Sequence, residues 1–103
     1  MNIRYETDYS VFEWDSEKCK SNIYKHGIDF KDAVAAFEDS QALCAYDIDS
    51  SVDEDRYTLT GRIGNRIIAV VIYTDRKDRI RIISARLATK RERKIYEEHA
   101  KWY

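Results

Sequence analysis

Residues 67–87, IIAVVIYTDRKDRIRIISARL, decide the fold because they join an apolar run to a second alternating strand through a charged turn. Residues 67–73 are hydrophobic on both faces, as expected for a central strand of a sheet. Residues 75–78 form the turn, and residues 79–87 resume the alternation of a strand. One face of that second strand is predicted to carry Ile80, Ile82, Ser84 and Arg86. The stretch therefore predicts two antiparallel neighbours, the second with a polar end on an otherwise apolar face.

A further strand is predicted immediately upstream, over residues 56–63, where apolar and polar side chains alternate. Gly64 and Asn65 form the kind of two-residue turn that joins antiparallel strands. Residues 43–48 predict a brief strand, and the acidic residues 47–55 predict a solvated loop. This part of the chain therefore predicts an antiparallel meander of three or four strands.

Two helices are predicted before the meander. After a short edge strand at residues 11–14, Asp15 is placed to cap the first helix, and Gly27 is placed to end it in the left-handed conformation. Asp29 can cap a second helix, whose apolar stripe stops near Asp39. We expect both helices to pack on the sheet.

A third helix is predicted after the meander. Residues 89–92, Thr-Lys-Arg-Glu, form a capping box, and Ile95, His99 and Trp102 recur at helical spacing. The element order predicts an α+β fold: an antiparallel sheet of about four strands with two N-terminal helices and one C-terminal helix.

Length and composition predict one cytoplasmic domain. The chain has 103 residues, of which 44% are hydrophobic and 36% charged, and it contains no proline. No apolar run is long enough to cross a membrane, and the first residues lack the pattern of a signal peptide. Cys19 and Cys44 lie in no redox or metal motif, so we interpret both as reduced, small buried apolar residues.

The charges are segregated along the chain although the net charge is only −1. Residues 29–55 contain nine acids and one base, whereas residues 76–94 contain nine bases and two acids. A concentrated basic region attracts phosphates whatever the average charge is. An internal match between the two regions is the alternative interpretation.

Three separated motifs resemble one known family. Residues 14–28, WDSEKCKSNIYKHGI, are similar to the W-D-x-x-K-x-x-x-N-x-x-K-H-G opening of BrnT toxins, and Phe30 follows as it does there. Residues 54–57, EDRY, with Gly61 resemble the E-x-R-[FY] and glycine of that family. Residues 80–97, IRIISARLATKRERKIYE, resemble its C-terminal motif. Three motifs in the right order are far more specific than any one alone.

This resemblance implies a RelE-like fold within the RelE/ParE-like superfamily and a ribonuclease toxin of a type II toxin-antitoxin system. It implies RNA cleavage that stops translation, and neutralisation by a BrnA-like antitoxin whose ribbon-helix-helix domain binds the operator DNA. Residues 12–103 would be the toxin domain, and residues 1–11 an N-terminal extension. No nucleotide-binding loop, metalloprotease, serine-nucleophile or zinc motif is present, so we expect no cofactor and no metal.

RNA cleavage without metal needs a proton acceptor and donor, and cations that stabilise the charge of the pentavalent phosphate. Lys18 and His26 are eight residues apart on the first helix and face the same side. Arg56 begins the first long strand and Arg86 ends the last, so we expect them to converge near one edge and clamp phosphate together with Ser84. These five residues are the candidate catalytic set. The alternatives are a salt bridge for the arginines, a helix-end contact for the histidine and a solvated lysine.

Four other residues are assigned to RNA binding. Arg81, Lys90 and Arg93 are predicted to contact the RNA backbone, where their loss weakens binding more than chemistry. Tyr96 is predicted to stack on a base, with a role in the core as its alternative.

Two other functions stay open on the same residues. The chain could be a catalytically inert RelE-like module that only binds an antitoxin or nucleic acid, because a fold does not guarantee activity. It could also be a gyrase-directed toxin that leaves RNA intact.

Overall fold

One six-stranded sheet carries helices on both faces, in a computed structural model that describes residues 1–101. The strands are β1 (Asn2–Glu6), β2 (Val11–Asp15), β3 (Leu43–Tyr46), β4 (Tyr57–Gly64), β5 (Ile67–Arg76) and β6 (Arg79–Leu87). The helices are α1 (Ser16–His26), α2 (Phe30–Ala33) and α3 (Lys90–Lys101), with a 3-10 segment at Val34–Glu38. Trp102, which the spacing predicts on the stripe of the C-terminal helix, lies outside the described residues. Over residues 1–101, each helix is too short or too polar to span a bilayer.

The strands lie in the order β1-β2-β6-β5-β4-β3. Strand β2 runs parallel to β6, with Phe12 opposite Ile80 and Glu13 opposite Arg81, and the other described pairs are antiparallel. The predicted α+β class is confirmed. The prediction of about four purely antiparallel strands is wrong, because the sheet has six strands over residues 1–101 and is mixed. The two helices and most of the meander separate β2 from β6, and such a long crossover permits a parallel pair.

Strand β1 lies within the residues predicted as an N-terminal extension. It forms an antiparallel pair with β2, in which Ile3 faces Trp14 and Tyr5 faces Phe12. The Tyr5 and Trp14 rings contact each other at a centroid distance of 6.0 Å. Only two apolar residues of this polar stretch face inward, and so short an alternation did not predict the edge strand.

Strands β4 and β6 run parallel to each other because both pair antiparallel with β5. Arg86 lies opposite Val70 of β5, and Val70 lies opposite Thr60 of β4. Arg56 precedes Thr60 by four residues, so it lies roughly 13 Å along the strand direction from the level of Arg86. The predicted convergence of Arg56 and Arg86 is therefore wrong: the start of one strand and the end of a parallel one lie toward opposite ends of the sheet.

A β-bulge in β6 changes which side chains share a face. Ser84 and Ile82 pair with consecutive residues of β5, so Ile83 between them is the extra residue. Ile82 and Ala85 are both buried in the core, and alternation places Ser84 and Arg86 on the opposite face. The prediction that the apolar first half of this strand shares a face with Ser84 and Arg86 is therefore wrong.

The core lies between the sheet and the N-terminal helical segments. Its largest members include Phe12, Trp14, Phe30, Val71 and Ile82. The predicted second helix is shorter than expected, because four residues of α-helix are followed by the 3-10 segment. That segment packs on Gly61, where an added Cβ would lie 3.0 Å from the Ala36 carbonyl oxygen. Glycine thus permits the close approach of these two backbones.

Helix α3 packs on the opposite face of the sheet. Tyr96 is 1% exposed, and its hydroxyl donates to Asp39 Oδ2 at 2.5 Å. Asp39 also accepts from the Arg62 backbone N–H at 2.8 Å. Burial raises the pKa of Tyr96, and so does the hydrogen bond to this carboxylate. Ile95, which the spacing predicts on the buried stripe, is 52% exposed.

Candidate active site

Helix α1 is fixed at both ends by the caps that the sequence predicts. Asp15 accepts a hydrogen bond from the Lys18 backbone N–H at 3.1 Å, and this bond lowers the pKa of Asp15. Gly27 ends the helix with φ 72°, and its N–H donates to the Ile23 carbonyl at 2.8 Å. The cations of the last turn, Lys25 and His26, suit the negative end of the helix dipole.

Asn22 attaches this helix to the edge of β6. Its side chain is 5% exposed and makes three hydrogen bonds with backbone groups. The amide nitrogen donates to the Ala85 carbonyl at 2.8 Å and to the Ile28 carbonyl at 2.9 Å, and the amide oxygen accepts from the Ala85 N–H at 3.1 Å. The described pairing of β2 with β6 stops at Arg81. Beyond Arg81, the side-chain amide of Asn22 makes hydrogen bonds with the backbone of β6, as a neighbouring strand would.

A cleft of about 210 Å³ lies between α1 and β6. Its lining residues are Lys18, Ser21, Asn22, Lys25, His26, Ile83 and Ser84. Two turns of α1 supply one wall, and the bulge of β6 supplies the other. The sequence places these two walls almost sixty residues apart, and the fold brings them together.

The cleft is cationic. Lys18, Lys25 and His26 line it without an ion pair to any acid among residues 1–101. Ser84 adds a hydroxyl that can donate or accept. An anion placed in the cleft would therefore meet two ammonium charges, an imidazole and a hydroxyl, which is an environment that suits a phosphodiester.

Three predicted catalytic residues, Lys18, His26 and Ser84, meet in this cleft. The sequence predicted no role for Ser21, Asn22 or Lys25, which also line the cleft. Asn22 and Lys25 stand in the first motif, so they could have been found, but only the fold shows that Asn22 contacts backbone rather than a ligand.

Arg86 lies two residues beyond Ser84 and forms a two-pronged ion pair with Glu92. The Nη1–Oε1 distance is 2.7 Å and the Nη2–Oε2 distance is 3.0 Å. These bonds lower the pKa of Glu92 to about 2 and raise the pKa of Arg86, although burial opposes both shifts. Glu92 also accepts from the Thr89 N–H, as the predicted capping box requires. The salt bridge that the sequence left open as an alternative for Arg86 is therefore present.

Arg56 and Arg81 lie on the same face of the sheet as Ser84. Arg81 lies opposite Thr74 of β5. Arg56 precedes Tyr57 of β4, which pairs with Tyr73, so it lies on the other side of Thr74. Arg56 Nε is buried and has no hydrogen-bond partner within residues 1–101. A buried donor of this kind is normally satisfied by a hydrogen bond, which a ligand or a water molecule could accept here.

Arg81 binds a buried carboxylate instead of facing solvent alone. It donates to Glu13 at 3.0 Å and to Asn2 at 2.8 Å, and Arg79 donates to the same carboxylate at 3.1 Å. Burial raises the pKa of Glu13, but the hydrogen bonds of Arg81 and Asn2 and the charges of both arginines together hold it below its ordinary value. These contacts stabilise the parallel pair of β2 and β6, because Glu13 belongs to β2 and both arginines belong to β6.

The remaining predicted RNA-binding residues lie on α3. Lys90 is exposed at its first turn, and Arg93 pairs with Glu97 at 3.0 Å and with the Arg66 carbonyl at 2.7 Å. Tyr96 is buried, so its ring cannot stack on a base in this structure. The alternative interpretation of Tyr96 as a core residue is the one that the structure supports. Within residues 1–101, no cluster of three or more histidine, cysteine or acidic side chains is arranged to hold a metal ion.

A small mixed sheet with a cation-lined cleft is compatible with the binding of a phosphodiester, and comparisons with known proteins identify the family. The BrnT family, described as the ribonuclease toxin of a type II toxin-antitoxin system, has a model that matches residues 14–92. The chain therefore belongs to the BrnT family. Family membership implies RNA as the substrate class and an antitoxin as the partner.

A solved structure agrees with this assignment. The chain is similar to the ribonuclease toxin BrnT of Brucella abortus, with 30% sequence identity and a TM-score of 0.59. The similarity covers 75% of this chain and 94% of that one. No curated protein sequence matches.

Proposed function

We propose that this toxin is a metal-independent endoribonuclease that inhibits translation in the cytoplasm by cutting RNA in the α1–β6 cleft. The observation that carries the proposal is that Lys18, His26 and Ser84, predicted from two distant motifs, line one cleft together with Lys25. We also propose a RelE-like fold over residues 12–103, with residues 1–11 as an extension that adds β1.

The chemistry follows from the charges of the cleft. The ribose 2′-oxygen attacks the adjacent phosphorus, its proton passes to a base, and the departing 5′-oxygen receives a proton from an acid. His26 is assigned to accept the 2′-hydroxyl proton, because imidazole can act as a base near neutral pH. Solvent supplies the proton that the departing 5′-oxygen takes up. Lys18 and Lys25 stabilise the extra negative charge of the pentavalent phosphate, as a metal ion would elsewhere. Ser84 orients a phosphate oxygen by a hydrogen bond.

The RNA strand is proposed to leave the cleft along the basic face of the sheet. Arg86 lies two residues beyond Ser84, and Arg56, whose Nε has no partner within residues 1–101, lies on the same face toward the other end of the sheet. Arg81, Lys90 and Arg93 supply positive charge around this path, where long-range attraction to the RNA backbone suffices. The chain's antitoxin is proposed to be BrnA-like, with a ribbon-helix-helix domain through which the complex binds operator DNA.

The test is RNA cleavage by His26→Gln and Lys18→Ala, with Lys20→Ala as the matched control. Lys20 lies on the same helix, is exposed and pairs with Glu17 at 3.7 Å. We expect primer extension after brief induction to show cleavage with the parent and the control, and at least a 100-fold loss for His26→Gln, a loss typical of a general acid–base residue. The purified toxin should cut RNA equally well in EDTA.

Four outcomes would contradict the proposal. Full activity of both cleft variants would place the chemistry elsewhere. Loss of activity in EDTA would show a metal requirement. Growth arrest with intact RNA would favour the gyrase-directed toxin, and intact RNA without arrest would favour the inert binding module.

A further inference from the structure

A second depression shares His26 with the cleft and lies at one end of the sheet, where β4 and β6 end and β5 begins. It has a volume of about 230 Å³ and is lined mainly by aliphatic side chains. Its residues are His26, Gly27, Ile28, Asp32, Ile63, Ile67 and Leu87. We call it the edge groove. His26 lines both the cleft and the edge groove, so the two form one continuous surface.

The edge groove exposes aliphatic surface that the monomer leaves uncovered. Leu87 is 56% exposed and Ile67 is 42% exposed, although both belong to strands of the sheet. Exposed aliphatic side chains grouped beside charged ones mark a surface for a partner. The volume is below the roughly 300 Å³ at which pockets for small molecules begin, so the groove suits individual side chains of a protein.

We propose that the antitoxin binds the edge groove through a segment that seats aliphatic side chains on Ile67 and Leu87 and extends a carboxylate into the cleft. The second half of this inference rests on the proposed function, since it places the acid among the catalytic cations. An amphipathic helix meets both demands, because aliphatic residues three or four positions apart face the groove while an acid one turn away reaches the cleft.

Charge complementarity fixes the direction of the bound segment. Lys18 and Lys25 line the cleft but not the edge groove, and Asp32 lines the edge groove but not the cleft. Asp32 has no ion pair with any base among residues 1–101. The acid of the segment therefore points to the cleft and a basic residue points to Asp32, because the reverse orientation would oppose like charges at both ends.

RNA is a poorer occupant of the edge groove than a protein segment. The groove has no aromatic lining residue other than the His26 imidazole, so it offers little on which a base could stack. The residues that line the edge groove include Asp32 but no lysine or arginine, so a phosphate would meet less positive charge there than in the cleft. One segment that spans both depressions would bind tightly and exclude RNA from the cleft.

The test uses a double variant, Ile67→Gln with Leu87→Gln, which removes aliphatic surface without adding charge. Affinity for the purified full-length antitoxin of the same operon is measured by calorimetry. We expect a loss of at least about 30-fold, the threshold for an interface hot spot. The control is Ile48→Gln, an exposed aliphatic residue on the acidic loop, which should leave affinity unchanged. Thermal unfolding of each variant confirms that it is folded.

The double variant should keep full RNA cleavage and should escape neutralisation in cells. Wild-type affinity of the double variant would overturn the proposed surface. Sedimentation of the toxin alone distinguishes a second copy as the occupant, because a dimer that the double variant dissociates would also overturn it. Absence of RNA cleavage by the parent would refute the proposed function but would leave the measured affinities, and hence the docking surface, intact.

Discussion

Replacing Asn22 by alanine should destabilise the protein more than any other single change on α1. The substitution removes three hydrogen bonds and leaves the Ala85 N–H, the Ala85 carbonyl and the Ile28 carbonyl without that partner in a buried place. At about 1 kcal/mol for each bond, the free energy of unfolding falls by about 3 kcal/mol. For a domain of this size, such a loss lowers the Tm by about 15 °C.

The measurement is urea-induced unfolding at pH 7, followed by circular dichroism. Ser21→Ala, at the exposed neighbouring position on α1, is the control and should change stability by less than about 0.5 kcal/mol. Asn22→Asp keeps the shape but cannot donate to either carbonyl, so it should be at least as damaging as alanine. A loss below about 1 kcal/mol for both Asn22 variants would refute the claim that this amide replaces a neighbouring strand.

Three further predictions concern stability. Glu92→Gln should cost about 1 kcal/mol at pH 7, a value discounted for the partial exposure of the pair with Arg86. Because folding lowers the pKa of Glu92 from 4.5 to about 2, the contribution of its charge is present above pH 4.5 and disappears as the pH falls toward 2. Urea unfolding of parent and variant across this range would contradict the assignment if their difference stayed constant. Tyr96→Phe should cost about 1 kcal/mol in the same assay, because it removes the hydrogen bond to Asp39, and an unchanged free energy of unfolding would show that this bond does not stabilise the fold. Gly61→Ala should cost about 1–3 kcal/mol because its Cβ would press on the backbone of Ala36, and a stabilised variant would show that this contact is not tight.

The sequence predicted local features well because they depend on neighbouring residues. The caps of α1, the capping box of α3 and the alternation of β4 all need only a few adjacent side chains. Residues of both walls of the cleft were also identified: Lys18 and His26 on α1 follow from helical spacing, and Ser84 on β6 follows from the polar end of its strand. These features depend on periods of 2.0 and 3.6 residues along the chain, and both periods can be read directly from the sequence.

The sequence failed where one residue or one pairing changes a pattern. Ile83 is an ordinary β-strand residue, and nothing adjacent to it marks a bulge, yet it moves Ser84 and Arg86 to the other face. The distance between Arg56 and Arg86 along the sheet depends on the relative directions of β4 and β6. The alternation of apolar and polar side chains does not encode these directions. The choice of Glu92 as the partner of Arg86 depends on how α3 leaves the sheet.

The parallel pairing of β2 with β6 has a consequence for how the toxin is made. Glu13 and Arg81 are 68 positions apart, and closing a loop of that length costs about 4 kcal/mol of chain entropy. At about 5–20 residues per second of synthesis, the ribosome needs several seconds to go from β2 to β6. Because the proposed catalytic cleft needs a wall from each end of that interval, an unfinished chain lacks one of its walls. We therefore expect that the chain does not cleave RNA until β6 has left the ribosome, so that the antitoxin has only finished molecules to restrain.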